Sequence, residues 1–312
     1  MSRRSALEFA FVAAFWGASY LFIKVALEDV FSPPMIVFVR TALAALVLAP
    51  LAWRTGRVGA LRGMAVPVTL LALVQVVAPF MLISFGEDHI SSSLAGILVA
   101  TAPIYAFMLA VVITPEERAK RIGTVGVGVG IAGVVLLLGV DAGGGTAALV
   151  GGAMVALASL GYAIGAFMIK RKLADQAPIV LVTATMGVSA VVSLPFAATA
   201  LPTEAPALDA VASLVALGVL GTGIAFVLYY DLIGELGPPK ATLVAYIAPG
   251  FAVIYGVVLL GEEVSVATFV GLVLILLGSY LAANERLPWQ ARPAPVVPEP
   301  APEPLPSGGT GR

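Results

Sequence analysis

The chain has 312 residues, of which 60% are hydrophobic and only 11% charged, with a formal net charge of -1. Soluble domains carry about a quarter of their residues charged, so the composition excludes one. There is no cysteine and a single histidine, which rules out disulfides and thiolate metal sites and argues against a His-based metal centre or a catalytic triad.

A helix that crosses a bilayer needs about 20 apolar residues. Ten segments qualify in chain order: 6–27, 32–53, 64–86, 92–114, 121–140, 148–170, 178–200, 210–234, 239–260 and 266–284. The first follows Arg3 and Arg4 and resembles a signal peptide. No small-residue cleavage site follows and the apolar run reaches Leu27, so it reads as a membrane helix. Pro33-Pro34, Pro178 and Pro238-Pro239 fit the first turns of the second, seventh and ninth segments, where a missing N–H is harmless. The stretch DAGGGT at 141–146 separates two halves. After Arg286 the chain becomes Pro/Ala-rich without an apolar face, the composition of a disordered tail.

The halves read as copies. From Ala95 the chain runs AGILVATAPIYAFMLAVVITPEE, and from Ala241 it runs ATLVAYIAPGFAVIYGVVLLGEE. Pro103 and Pro249 are 146 residues apart, as are Glu116-Glu117 and Glu262-Glu263. Lys24 and Lys170, each ending an Ile-Lys pair, keep the same offset, while Gly126 and Gly133 match Gly271 and Gly278 at 145. Repetition of this kind in so apolar a chain marks a transporter built from two structural repeats. The expected organisation is a first five-helix repeat at 1–140, a linker at 141–147, a second repeat at 148–286, and a tail at 287–312.

Basic residues set the orientation. With the N-terminus in the cytoplasm, the inner segments hold Arg3, Arg4, Arg54, Arg57, Arg62, Arg118, Lys120, Arg121, Lys170, Arg171, Lys172, Lys240, Arg286 and Arg292. The outer loops hold no Lys or Arg but carry Glu28, Asp29, Glu87, Asp88, Asp141, Glu204, Asp209, Glu262 and Glu263. Five helices per repeat is an odd number, so the second copy is inserted upside down. Inverted repeats permit alternating access around a site between them. Both termini are expected inside, in a bacterial inner membrane.

Arg40 lies eight residues into the second segment, near the bilayer middle. An Arg there costs about 2.5–3.5 kcal/mol on insertion scales. It either meets a substrate carboxylate or a water cavity, or clamps neighbouring helices. Lys24 and Lys170 sit near helix ends and can snorkel; Lys24 can also meet an anionic group at the outer mouth. Asp231 and His89 are the candidates for proton coupling, with surface positions as the alternative for each. Glu8 can pair with Arg3 or Arg4. Gly128, Gly130 and Gly133 match a dinucleotide fingerprint formally, but inside an apolar helix; glycines four apart, Gly126/Gly130 and Gly161/Gly165, read as close helix packing. Pro79, Pro103 and Pro249 fall inside helices and mark hinges or cavity walls, with Pro103 and Pro249 as hinges. Around them, Trp16, Ser19, Tyr20, Gln75, Thr101, Tyr105, Tyr162, Tyr246 and Tyr255 form a candidate aromatic pocket. Some of these Trp and Tyr residues can instead belong to the interfacial belt.

Trp16-Gly17-Ala18-Ser19-Tyr20 followed by Lys24, Phe38-Val39-Arg40 followed by Ala44, Pro103 with Glu116, and Pro249 with Gly261-Glu262 resemble the motifs of the drug/metabolite transporter superfamily, in its ten-helix EamA branch. The resemblance covers about 6–285. It implies an all-α integral membrane fold of ten transmembrane helices as two inverted five-helix repeats, with a central cavity lined mainly by helices 1, 3, 4, 6, 8 and 9. It implies a secondary transporter, not an enzyme, that exports amino acids or similar metabolites. The aromatic content is similar to that of aromatic amino-acid exporters. The alternative is another metabolite, such as a sugar conjugate or a drug. The four-helix multidrug branch uses an embedded Glu in helix 1, and Glu8 lies too near the inner surface to match it. The expected partners are a small-molecule substrate and the lipid bilayer, with no nucleic acid, cofactor or metal, and a monomeric state.

Overall fold

A computed structural model describes residues 2–113, 121–140, 145–236 and 244–284, and every regular element among them is helical. The membrane-length helices are α1 (Arg3–Glu28), α2 (Pro33–Arg54), α3 (Ala65–Glu87), α4 (Ser92–Ile113), α5 (Arg121–Gly139), α6 (Thr146–Leu173), α7 (Pro178–Ala198) and α8 (Leu208–Tyr229, continuing to Leu236). The series closes with α9 (Val244–Leu260) and α10 (Val266–Asn284). The first residues of the expected ninth segment lie outside the described residues, as do Pro238-Pro239. Pro33 and Pro178 open α2 and α7 as expected. Ser91 caps α4 by accepting from the Leu94 N–H at 3.2 Å, which satisfies an orphan donor of the first turn.

The repeats interlock. α1 packs on α8 and α9 of the second repeat, and α6 packs on α3 and α4 of the first. α2 pairs with α7, and α5 with α10. The glycines of α5 serve this last seam: a Cβ on Gly126 would sit 2.7 Å from the Gly278 carbonyl oxygen, and one on Gly133 would sit 3.0 Å from that of Gly271. Backbone against backbone is what small residues permit in a bilayer, and it answers the fingerprint question in favour of packing. Outside, Leu7, Leu46, Val112, Val191, Val258 and Phe269 are exposed. So large an apolar exterior suits lipid.

Helix ends sort onto two faces. On one, Ser2 and Ser5 donate to Glu235 Oε1 at 2.9 and 2.6 Å, and Arg4 reaches Glu8 at 2.6 Å and Asp231 at 3.5 Å. On the other, Asp29 accepts from the Ala207 N–H at 3.0 Å, Ser32 donates to the Ala200 carbonyl at 3.1 Å, and Glu262 meets the start of α4. Ten antiparallel spans require this grouping.

Three stretches widen to π geometry: Ala72–Val77 in α3, Ile169–Leu173 ending α6, and Leu217–Ile224 in α8. Shifted by 146 residues, the first falls within the last. Such bulges recur at functional positions. α4 breaks at Ala100-Thr101, just before Pro103.

Candidate substrate site

Arg40 is buried, 4% exposed, at the meeting of α2, α3 and α8. Its Nε and one terminal nitrogen donate to Thr222 Oγ1 at 3.3 and 3.1 Å, and its Cζ lies 3.6 Å from the centroid of Phe80. Thr222 is held in turn, its hydroxyl donating to the Leu217 carbonyl at 2.8 Å within the π stretch. That bond is five residues long, and the widened turn presents the threonine oxygen to the guanidinium. A desolvated cation over an aromatic face gains about 2 kcal/mol, which offsets much of the cost of placing Arg40 here. Tyr162, Tyr20 and Glu87 are the titratable groups within electrostatic reach.

Ser19 and Tyr20 approach the same region from α1. A Cβ on Gly221 would meet Ser19 Oγ at 2.9 Å, and one on Gly96 of α4 would meet the Tyr20 ring at 3.1 Å. The Ser19 hydroxyl donates to the Phe15 carbonyl at 2.9 Å. Tyr162 of α6 packs against two of the apolar clusters of the interior, one of which contains Phe80. Trp16 lies toward the other face, edge-on to Phe226 at 5.7 Å and tilted on Tyr229 at 4.8 Å. Trp16 and Tyr162 are repeat equivalents, 146 apart.

Other candidates fall elsewhere. Gln75 and Pro79 line the seam between α3 and α6: a Cβ on Gly165 would meet Gln75, and one on Gly161 would meet Pro79, at 2.6 and 2.7 Å. Tyr246 donates to the Ser279 carbonyl of α10 at 3.2 Å. Tyr105 is half-buried on α4 beyond the break. Pro103 frees the Val99 carbonyl, but Ser159 of α6 donates to it at 3.2 Å, and Ser279 of α10 donates to that of Ala100 at 2.7 Å. These carbonyls are therefore bonded within the protein. Pro249 lies in an unbroken α9. Asp231 is exposed beside Arg4, and His89 is exposed after α3; neither faces the interior.

Two residues differ from expectation. Glu87 is not an outer-loop residue: it ends α3 with 0% exposure, next to Gly86, which packs on Gly151 of α6, and with its carbonyl on Lys24 of α1. Lys24 turns inward beside it rather than snorkelling, donating to the carbonyls of Glu87 and Ile90 at 2.9 and 3.4 Å. Lys170 is exposed. Glu262 holds the α4 N-terminus, its carboxylate accepting from the N–H groups of Ser92 and Ser93 at 2.7 and 3.0 Å and from the Ser93 hydroxyl. The sequence signal for Glu262 was its match with Glu116; Glu87, inside Glu-Asp-His, gave none.

A bundle of membrane-length helices from two interlocked repeats, with polar and aromatic groups gathered between them, defines a membrane transporter. The EamA-like transporter family matches residues 4–139 and again 149–284, and the chain belongs to that family. It is 27% identical to the uncharacterized inner membrane transporter YedA of Escherichia coli K12, over 90% of this chain and 92% of that one. It is 25% identical to an uncharacterized transporter of Archaeoglobus fulgidus, over 89% of this chain and 98% of the relative. A crystal structure of another protein superposes with a TM-score of 0.65 at 18% identity, covering 90% of this chain and 98% of that one. At that identity the likeness shows the fold alone.

Proposed function

We propose that this transporter exports neutral, bulky or aromatic amino acids across a bacterial inner membrane by alternating access, with its site between the repeats. The observation that supports this most is the gathering of Arg40, Ser19, Tyr20, Phe80 and Tyr162 around the π stretch of α8. A fixed cation among aromatic walls suits a carboxylate with an apolar side chain. Discrimination is loose, because one methylene in an apolar pocket is worth only about 1–3 kcal/mol. A linker at 141–147 accords with the two matched halves, and the basic-residue pattern supports cytoplasmic termini.

The test is counterflow in liposomes holding the purified protein. Labelled L-leucine and L-phenylalanine enter against their unlabelled forms and compete with each other. Movement of sugar phosphates or permanent cations, with no response to any amino acid, would overturn the substrate reading. Orientation is checked separately. The chain has no cysteine, so a cysteine placed at 203–209 reacts with an impermeant reagent from outside, and one at Arg171 only after permeabilisation.

A further inference from the structure

Six buried side-chain polar atoms lack a hydrogen-bond partner among the described residues; two of them, Glu8 Oε2 and Gln176 Oε1, lie apart, and the other four gather at one end of α3 and the start of α4. The four are Ser84 Oγ, both carboxylate oxygens of Glu87 and Ser92 Oγ. Ser84 and Glu87 are three residues apart on α3 and share a face, each with 0% exposure. Glu262 is engaged on α4 through both oxygens, and Glu8 through one. Glu87 alone of these carboxylates has neither oxygen engaged. Buried polar groups are ordinarily bonded, and an exception asks for a role.

The charges around it are few. α1 brings Lys24 and Tyr20, α2 brings Arg40, and the turn after α9 brings Glu262. α6 brings Tyr162, which stands near Arg40, and α4 brings only the hydroxyls of Ser92 and Ser93 at this end. Asp88 and His89, next along the chain, are exposed. Lys24 is the cation nearest in structure, yet its ammonium is bonded to backbone carbonyls, including that of Glu87 itself. An ionised carboxylate so enclosed and unpaired is very costly, whereas its protonated form is not.

We propose that Glu87 is a proton-carrying site and that transport by this chain is coupled to proton movement through it. With Glu87 enclosed, as here, it holds a proton and Lys24 rests on the carbonyls of Glu87 and Ile90. When α3 and α4 part from α1 and the Glu262 turn, water reaches the carboxyl. The O–H bond breaks, the proton passes to water, and the Lys24 ammonium turns from carbonyl to carboxylate. Reclosure reverses each step. This rests on the transporter assignment and not on the choice of amino acids as substrate.

Two measurements test it. Infrared difference spectra of the full-length protein in lipid, taken across a pH series, should show a carboxylic-acid C=O stretch that disappears as pH rises. The band should be missing from Glu87→Gln, remain in Glu8→Gln and Glu262→Gln, and shift in Glu87→Asp, which retains a carboxyl if the amide variant folds poorly. In liposomes, uptake of L-leucine driven by a pH gradient should fall at least tenfold in Glu87→Gln, while counterflow at equal pH persists. An unchanged titrating band in Glu87→Gln, or an equal gradient response, overturns the proposal. If the unsubstituted protein moves no leucine, the substrate reading fails and the infrared result still decides the proton site.

Discussion

Arg40 and Thr185 occupy equivalent places on the second helices of the two repeats. The buried positions of α2, from Met35 through Arg40 and Thr41 to Ala52, recur on α7 from Val180 through Thr185 and Met186 to Ala197, 145 residues later. Each helix packs on the π stretch of the other's neighbour, α2 on that of α8 and α7 on that of α3. In one copy the contact is Arg40 bonded to Thr222. In the other, Val76 stands where Thr222 would be and packs with Val182 and Met186, while the Thr185 hydroxyl folds back on the carbonyls of Leu181 and Val182 at 3.0 Å. The fold therefore holds this joint without a charge. A buried cation on one side only is not what packing requires, and intramembrane charge is functional by default.

The difference between the two joints rests on Arg40. Arg40→Ala should lower counterflow by at least about tenfold, the factor that about 1.4 kcal/mol of lost interaction gives, while the protein still reaches the membrane. Arg40→Lys should rescue poorly, because an ammonium lacks the planar fork that meets Thr222 and stacks on Phe80.

The α5/α10 seam is symmetric and supplies the control. Gly126→Leu should destabilise by about 1–3 kcal/mol through overpacking, read as a lower melting temperature. Gly128→Leu should be nearly neutral, since nothing lies within 4 Å of a Cβ there.

A smaller asymmetry separates the two ends. Glu262 caps the N–H groups of Ser92 and Ser93. The repeat-equivalent positions, Pro238 and Pro239, have no N–H for Glu116 to cap. Glu262→Gln should cost about 0.3–1 kcal/mol, the usual worth of an anion at a helix N-terminus. It should speed labelling of an Ala95→Cys reporter from outside several-fold, and Glu116→Gln should not.

Smallest is a pH effect at the other face. Hydrogen bonds from Ser5 and Ser2 hold the Glu235 carboxyl below the usual carboxylate range. A depressed folded value means stability that is present above the unfolded value, about 4.3, and lost as pH falls through the folded one. Ser5→Ala should flatten that acid limb of the melting temperature slightly.

Much of this was legible in the sequence. The ten spans follow from run length, and the duplication from Pro103/Pro249 and Glu116/Glu262. The glycine run read correctly as packing, because its spacing is local to one helix. The partners of buried charges were not legible. Thr222 lies 182 residues from Arg40, and only the approach of α8 to α2 joins them. Glu87 reads as loop because the groups that enclose it come from α1, α2 and the turn after α9, far away in the chain, and Lys24 reads as snorkelling because its carbonyl acceptors lie at and just past the end of another helix. The π stretches carry no local signature.

The most direct test copies the apolar chemistry of the second-repeat joint into the first. Arg40→Met with Thr222→Val replaces the polar clamp by apolar side chains of similar reach, so that no buried donor is left unpaired. The doubly substituted protein should be as stable as the unsubstituted one and should not carry out counterflow of L-leucine or L-phenylalanine. Counterflow at the unsubstituted rate would return Arg40 to a packing role.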